Sequence, residues 1–400
     1  MAQAKGIWAP LIPKHDRLSL TVFLEKPAQT SNWKEETIYD DGDNFFSTFE
    51  VAIKSARISV YIETYIFDLD ALGLKILKLL EEAVQRGVEV KILLDGVGSS
   101  QWTYKMARYY RSVGIEVLFF HPLLWQRPSF LFKLPDFRMM NHRDHRKLYI
   151  VDKKIGFIGS MNISARHLKS LWGKNAWRDT SVTLTGDPVS ALLDSFWVSW
   201  TTAALRSFRP RLILKRFFTN LKFPILLKHT LRQRRIYRKM IISRIEQMNE
   251  RLWITTPYFV PDRAVLNVIL DASKRGVDVR LLFPKISDFF GVKYAMEGMY
   301  SKLLEANIKI FEYLPTMLHA KILMIDDFYS LGSSNLNHRS FFRDLELDVI
   351  LNLPKTKALL QEQFLEDLKH AELRTRLEWK KRSYPQKVLE KFFYLFRGVL

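Results

Sequence analysis

The sequence contains no cysteine. That removes disulfides, thiolate-bound zinc, iron–sulfur clusters and thiol catalysis together, and it fits a reducing compartment. Long apolar runs are missing too: no stretch approaches the roughly 18 consecutive apolar residues of a membrane-spanning helix. The N-terminus, MAQAKGIWAPLIPKHDR, holds an apolar patch that Pro10 and Pro13 interrupt, too short for a signal peptide. Any membrane contact is therefore expected to be peripheral. Acidic residues are in short supply, with 42 Asp and Glu against 62 Lys and Arg and a formal net charge of +20. The natural partner is a polyanion. Nucleic acid and an anionic membrane surface both qualify, and charge alone does not choose between them.

What is present is a repeat. The run Ile58-Ser-Val-Tyr-Ile-Glu-Thr-Tyr-Ile-Phe67 is followed by a helical pattern ending at Arg86-Gly87 and then by Val88–Leu94. The run Leu252-Trp-Ile-Thr-Thr-Pro-Tyr-Phe259 is followed by a helical pattern ending at Arg275-Gly276 and then by Val277–Leu282. Alternating, β-branched and aromatic residues predict the strands. Apolar residues at three- and four-residue spacing (Ile76, Leu77, Leu80, Val84; Leu266, Ile269, Leu270) predict the helices. Gly87 and Gly276 stand where a left-handed residue would stop each helix. The expected fold class is α/β: two similar domains, each a mixed sheet flanked by helices. The predicted division is an N-terminal extension at 1–37, a first domain at 38–205, a linker at 206–244, a second domain at 245–370 and a tail at 371–400.

Each half then carries the same short text. The first reads His145-Arg-Lys147-Leu-Tyr-Ile-Val-Asp152 and Gly159-Ser160-Met-Asn162; the second reads His319-Ala-Lys321-Ile-Leu-Met-Ile-Asp326 and Gly332-Ser333-Ser-Asn335. Both are H-x-K-x4-D followed by G-S-x-N. The chain has only nine histidines, so two in one frame at corresponding places of a repeat are a strong signal. His and Lys two apart in an extended segment face the same side. The Asp begins a turn, and the returning strand brings Ser and Asn back beside them. Such a set suits a phosphodiester. Lysines neutralise the phosphate charge without a metal, and imidazole serves as nucleophile or general acid near neutral pH. Two histidines from two halves divide those tasks: one attacks phosphorus, the other protonates the leaving alcohol and later deprotonates the acceptor.

These motifs resemble the phospholipase D superfamily. More narrowly, the chain is similar to bacterial cardiolipin synthases that lack N-terminal transmembrane helices, from about Ile38 to the C-terminus. The likeness includes Asp40-Asp-Gly-Asp43, Tyr65-Ile-Phe67, Leu94-Asp-Gly-Val-Gly98, Asn141–Lys147, Trp177-Arg-Asp-Thr180, Thr256–Pro261 and Asn335–Ser340. The resemblance implies a pseudo-twofold with one metal-free and cofactor-free active site between the halves. By position it implies His145 as nucleophile and His319 as general acid/base. Lys147, Lys321, Asn162 and Asn335 would hold phosphate oxygens, Ser160 and Ser333 would support them, and Asp179 and Glu346 would orient the histidines. Asp152 and Asp326 complete the catalytic motifs and are expected to act as turn residues. One departure stands out. Six residues separate Asp152 from Gly159 but only five separate Asp326 from Gly332, and a one-residue slip reverses side-chain facing unless the turn absorbs it. A tighter turn at Asp326-Asp327 is expected. His167, lacking any such frame, is assigned no role.

Arg206–Arg244 carries thirteen Lys or Arg and no acidic residue, interleaved with Phe208, Phe217, Phe218, Phe223 and aliphatic residues. Basic heads over apolar side chains suggest interfacial contact with an anionic phospholipid membrane. Residues 118–137, with Trp125, Phe130 and Phe132, are expected to line a lipid entrance. The tail from Trp379 repeats the basic-aromatic recipe and is expected either to touch the membrane or to pack on the core. The resulting expectation is a peripheral phosphatidyltransferase on the cytoplasmic face of the bacterial membrane, making cardiolipin from phosphatidylglycerol, with phosphatidylglycerol or phosphatidylethanolamine as donor. A hydrolytic phospholipase D and a nuclease are the rivals; the mixing of apolar and basic residues speaks against nucleic acid. A binding scaffold with a decayed site is disfavoured by the intact His and Lys of both halves.

Overall fold

A computed structural model describes residues 32–128, 141–205, 223–396 and 398. The first half runs β1 (Glu35–Tyr39), α1 (Gly42–Ser55), β2 (Ser59–Thr64), α2 (Ala71–Gln85), β3 (Glu89–Asp95), α3 (Tyr104–Ser112) and β4 (Ile115–Phe120). It continues with β5 (Lys147–Val151), β6 (Ile155–Gly159), the short α4 (Lys169–Trp172), β7 (Ser181–Thr185) and α5 (Val189–Leu205). The second half runs β8 (Ile225–Leu227), α6 (Leu231–Gln247), β9 (Arg251–Thr255), β10 (Phe259–Val260), α7 (Arg263–Lys274), β11 (Asp278–Pro284), α8 (Phe290–Glu305) and β12 (Lys309–Tyr313). Then come β13 (Ile322–Ile325), β14 (Phe328–Gly332), β15 (Leu336–Asn337), α9 (His338–Phe342), β16 (Leu347–Leu351), α10 (Pro354–Lys369), β17 (Ala371–Arg374), α11 (Arg376–Lys380) and α12 (Tyr384–Leu395).

The seven-stranded sheet has the order β1-β7-β6-β5-β2-β3-β4, and the eight-stranded sheet β17-β12-β11-β9-β13-β14-β16-β8. Laid side by side, β2, β3, β4, β5, β6 and β7 correspond to β9, β11, β12, β13, β14 and β16. In each, two parallel crossovers through helices build one side (β2-β3-β4, β9-β11-β12) and an antiparallel hairpin the other. The crossover helices start alike, with Asp70 accepting from Leu72 and Gly73 N–H and Asp262 accepting from Ala264 N–H. Both end alike, with Gly87 at φ +86° and Gly276 at φ +92°, where a β-carbon would be strained.

Two expected boundaries are corrected. Residues 223–244 are not linker. β8 pairs antiparallel with β16 as β1 does with β7, and α6 leads into β9 as α1 leads into β2. Tyr237, Ile241 and Ile245 of α6 are buried in the core. The basic residues hid this, because Lys228 and Arg234 are themselves buried on specific partners. The tail, too, begins as part of the fold, since β17 extends the sheet beside β12 and α12 packs on α8. Residues 206–222, the core of the expected membrane segment, lie outside the described residues, as do Phe130 and Phe132.

The halves share one apolar cluster, which passes from Tyr61, Leu148 and Ile158 to Leu318, Leu345 and Leu347. β6 touches β14 and β16. Trp33 donates its indole N–H to Ile350 O across this seam (3.0 Å), and Arg178 forms a two-armed pair with Asp367 at 3.0 and 2.9 Å.

Candidate active site

The two motif hairpins set the chemistry, and their unequal turns reach the same end. In the first, Val151 pairs with Ile155 across three turn residues; in the second, Ile325 pairs with Phe328 across two. Pairing then runs back to Leu148–Ile158 and Ile322–Leu331. Lys147 thus lies opposite Gly159 and Lys321 opposite Gly332, whose N–H donates to Lys321 O. The missing residue is absorbed in the turn, at Asp326-Asp327, and no facing is reversed. Side chains are excluded at both glycines, because a β-carbon would strike Ser181 at one and Asp348 at the other.

Asp152 and Asp326 sit at the turn end of these hairpins, one strand length from the histidines, and are not part of the pocket. Both adopt φ near +50° (51° and 48°). The carboxylate of Asp152 accepts from the N–H groups of Arg57, Ile58 and Ser59, and that of Asp326 from Asn249, Glu250 and Arg251. Each caps the entry to the neighbouring strand. Their grouping with catalytic residues is corrected to a structural one.

At the other end the halves exchange partners. The extended segment before β5 pairs with the second half, so that His145 N–H donates to Leu345 O at 3.0 Å. The segment before β13 pairs with the first half, and His319 N–H donates to Arg178 O at 2.8 Å. Each histidine consequently meets the other half's carboxylate. His319 Nδ1 is 2.7 Å from Asp179 Oδ2, and His145 Nδ1 is 3.2 Å from Glu346 Oε2 and 3.1 Å from Ser333 O. Every one of these neighbours is an acceptor, so both rings carry their proton on Nδ1 and turn Nε2 to the pocket. Ser333 Oγ donates to Glu346 (2.5 Å), as Ser160 Oγ does to Asp179.

The lysines crowd the same space. Lys147 donates to His145 O and Lys321 to His319 O, both at 2.7 Å; Lys321 also lies 3.1 Å from His319 Nε2. Burial, then the charge of Lys321, brings Lys147 down to about 7, and burial brings Lys321 down to about 8. Burial and the lysines keep both imidazoles below their ordinary value, His319 at about 3, against the opposing pull of the carboxylates. Asp179 and Glu346 stay ionised despite burial because imidazole and lysine neighbours hold them well below the usual carboxylate range. Tyr65 packs its ring 4.9 Å from that of His145 and 5.4 Å from the Lys147 ammonium. Asn162 Oδ1 accepts from Ile66 N–H, and Asn335 Oδ1 contacts Thr256 Oγ. Each carboxamide thereby keeps its NH2 as the donor side.

Two residues of this shell escaped sequence reasoning. Asn162 N–H donates to His167 Nε2 at 3.3 Å, which places the proton of this buried ring on Nδ1, 3.5 Å from Asp179 Oδ2. In the second half Asn335 N–H donates to Ser340 Oγ at 3.2 Å, and Ser340 donates to Glu346 Oε1 at 2.6 Å. Both stand five residues after the Asn. The spacing was the available signal, but the change from His to Ser concealed it. Lys228 is a third, donating to Asp348 at 2.6 Å and to Ser334 within the G-S-x-N loop.

Residues 50–176 and 241–368 match the family described as cardiolipin synthase, PLD-like domain. A cardiolipin synthase of Halalkalibacterium halodurans is 30% identical over 359 residues, covering 88% of this chain and 70% of that protein. One from Geobacillus kaustophilus is 29% identical over 402 positions, 98% of this chain and 77% of the relative. Among solved structures, phosphatidylserine synthase of Haemophilus influenzae superposes with a TM-score of 0.70 at 15% identity, over 94% of this chain and 97% of that one. A polyphosphate kinase from Porphyromonas gingivalis gives 0.58 at 12% identity, over 92% and 54%. At such identities the likeness is one of fold.

Proposed function

This chain belongs to the cardiolipin synthase family with PLD-like domains, and on that premise we propose that it makes cardiolipin by phosphatidyl transfer through a covalent intermediate on His145. The observation that carries the reading is the exchange of carboxylates: Glu346 holds His145 and Asp179 holds His319. Neither half is complete without the other, so the two imidazoles serve one phosphorus.

His145 holds its Nδ1 proton on two acceptors, and Nε2 is left with the lone pair that attacks phosphorus. The bond from phosphorus to the head-group oxygen breaks, and the departing alkoxide takes a proton from His319 Nε2. Burial and the neighbouring lysines hold His319 neutral before substrate binds. A phosphodiester anion seated between Lys147 and Lys321 offsets their charge and returns His319 towards imidazolium, so the acid forms when substrate is bound. The glycerol hydroxyl of a phosphatidylglycerol then gives its proton to His319 and attacks phosphorus, and His145 leaves. Two phosphatidylglycerols yield cardiolipin and glycerol; a phosphatidylethanolamine donor would release ethanolamine. The lysines and the carboxamides of Asn162 and Asn335 hold the equatorial oxygens, whose charge develops in the transition state. Because its substrates reside in the bilayer, the enzyme is placed peripherally at the cytoplasmic face of the bacterial membrane. Among the described residues no helix is long and apolar enough to cross a membrane.

The test is an assay of purified protein on labelled phosphatidylglycerol in mixed micelles with EDTA, with and without phosphatidylethanolamine. Cardiolipin with released glycerol is expected. Phosphatidic acid alone would make the protein a hydrolase, and DNA cleavage without lipid turnover a nuclease.

A further inference from the structure

The C-terminal helix α12 is apolar on two sides. Its inner side packs on α8, with Phe393 stacked on Tyr294 (5.9 Å between rings, 14° between planes) and Tyr394 beside Gly298. Its outer side carries Val388, Phe392, Leu395 and Phe396 in the open, with Leu395 74% exposed. At the start of α8, Ile286, Phe289 and Phe290 are also exposed, Phe290 by 66%. The rings form a continuous ladder. Phe289 meets Phe290 at 6.4 Å, Phe290 meets Phe393 at 5.4 Å, Phe393 meets Phe392 at 5.2 Å and Phe392 meets Phe396 at 5.1 Å. An isolated exposed leucine needs no explanation, but a contiguous aromatic patch built from two separate elements does.

We propose that this face, the outer side of α12 with the Ile286–Phe290 corner, is the surface by which the protein docks on an anionic phospholipid bilayer. The inference rests on the lipid substrate proposed above. Two observations choose the occupant. Lys387 and Lys391 lie along the same helix one turn apart, and Lys380 and Lys381 precede it. Basic heads beside inserted aromatics suit an anionic interface, whereas on a chain of net charge +20 they would repel a second copy. The patch also lies towards the active-site end of its sheet. Asp288, next to Phe289, accepts from Tyr258 OH at 2.5 Å, and Tyr258 follows β9, whose Thr255 pairs with Ile322 beside Lys321. A phospholipid entering the pocket from the bilayer would therefore pass this edge.

The test uses the full chain and the double variant Phe392→Asp/Leu395→Asp, whose positions are exposed and outside the active site. Sedimentation with vesicles of equal parts phosphatidylglycerol and phosphatidylcholine should show binding reduced at least about tenfold, since two large apolar side chains no longer leave water. Turnover of monomeric short-chain phosphatidylglycerol should stay at the wild-type level. Unchanged vesicle binding by the variant overturns the proposal, as does a wild-type dimer that the variant dissolves while vesicle binding persists. A wild-type protein that binds vesicles through these residues but turns over no lipid would refute the enzymatic reading and leave the docking face standing.

Discussion

His145 and His319 are each fixed by a carboxylate and each faces a lysine, so the loss of either imidazole removes a step that the other cannot perform. His145→Ala and His319→Ala are each expected to lower turnover by about a thousandfold or more, the double variant by little beyond that, because groups acting as one unit are not additive. His167 and Ser340 act one step back, through Asp179 and Glu346. His167→Ala removes the acceptor of the Asn162 N–H and the ring that packs 3.5 Å from Asp179. A hydrogen bond between neutral groups is worth roughly 0.5–1.5 kcal/mol, so kcat should fall by about two- to tenfold with KM little changed; an equal rise in KM would contradict a positioning role. The lysines set the pH dependence. Below about 7 and 8 respectively, Lys147 and Lys321 are ammonium groups in the free enzyme. As pH rises through this window the charges that hold phosphate are lost, so kcat/KM should fall. His145, held below 6.5, stays neutral into the acid range and places the acid limb lower still. A kcat/KM that climbs steadily to about pH 9 would contradict this assignment of charges. Most of these residues were legible, because the repeat set His, Lys, Ser and Asn in one frame. His167 and Ser340 were not, since the two halves fill one position with different donors.

At the scale of elements, the strands and crossover helices around the motifs were legible from alternation, helical spacing and the two stop glycines. β8 and α6 were not, because thirteen basic residues in one stretch, interleaved with apolar ones, read as a linker in contact with a membrane. Among the described residues, the fold buries two of them. Lys228 reaches Asp348 and Ser334, more than a hundred positions away, and Arg234 reaches Phe342 O. Pairing at that range leaves no local trace. Lys228→Ala should leave Asp348 buried without its cation and cost roughly 3–5 kcal/mol, and Ile241→Ala in α6 roughly 2–5 kcal/mol through a cavity. Urea unfolding reads both. Losses below about 0.5 kcal/mol, the range of surface substitutions, would restore the linker reading.

For the whole molecule, the sequence showed two halves and the likeness between them, but not that they trade carboxylates. Asp179 follows the first motif and Glu346 the second, and spacing within a half does not say which histidine each will serve. The shared core and the Arg178–Asp367 pair bind the halves together. Calorimetry should accordingly show one cooperative unfolding transition, with two separate transitions counting against a joint core. The net charge of +20 adds a long-range attraction to anionic vesicles that salt screens over about 10 Å at 0.1 M. The most direct test of the central claim is to mix the His319→Gln variant with a phosphatidyl donor bearing an activated aryl leaving group, quench rapidly in denaturant at alkaline pH, and map the adduct by peptide mass spectrometry. A phosphatidyl group on His145, accumulating when His319 is replaced by glutamine and the donor carries a leaving group that needs no protonation, is the predicted result. An adduct on another residue, or turnover that proceeds with His145 never modified, would contradict it.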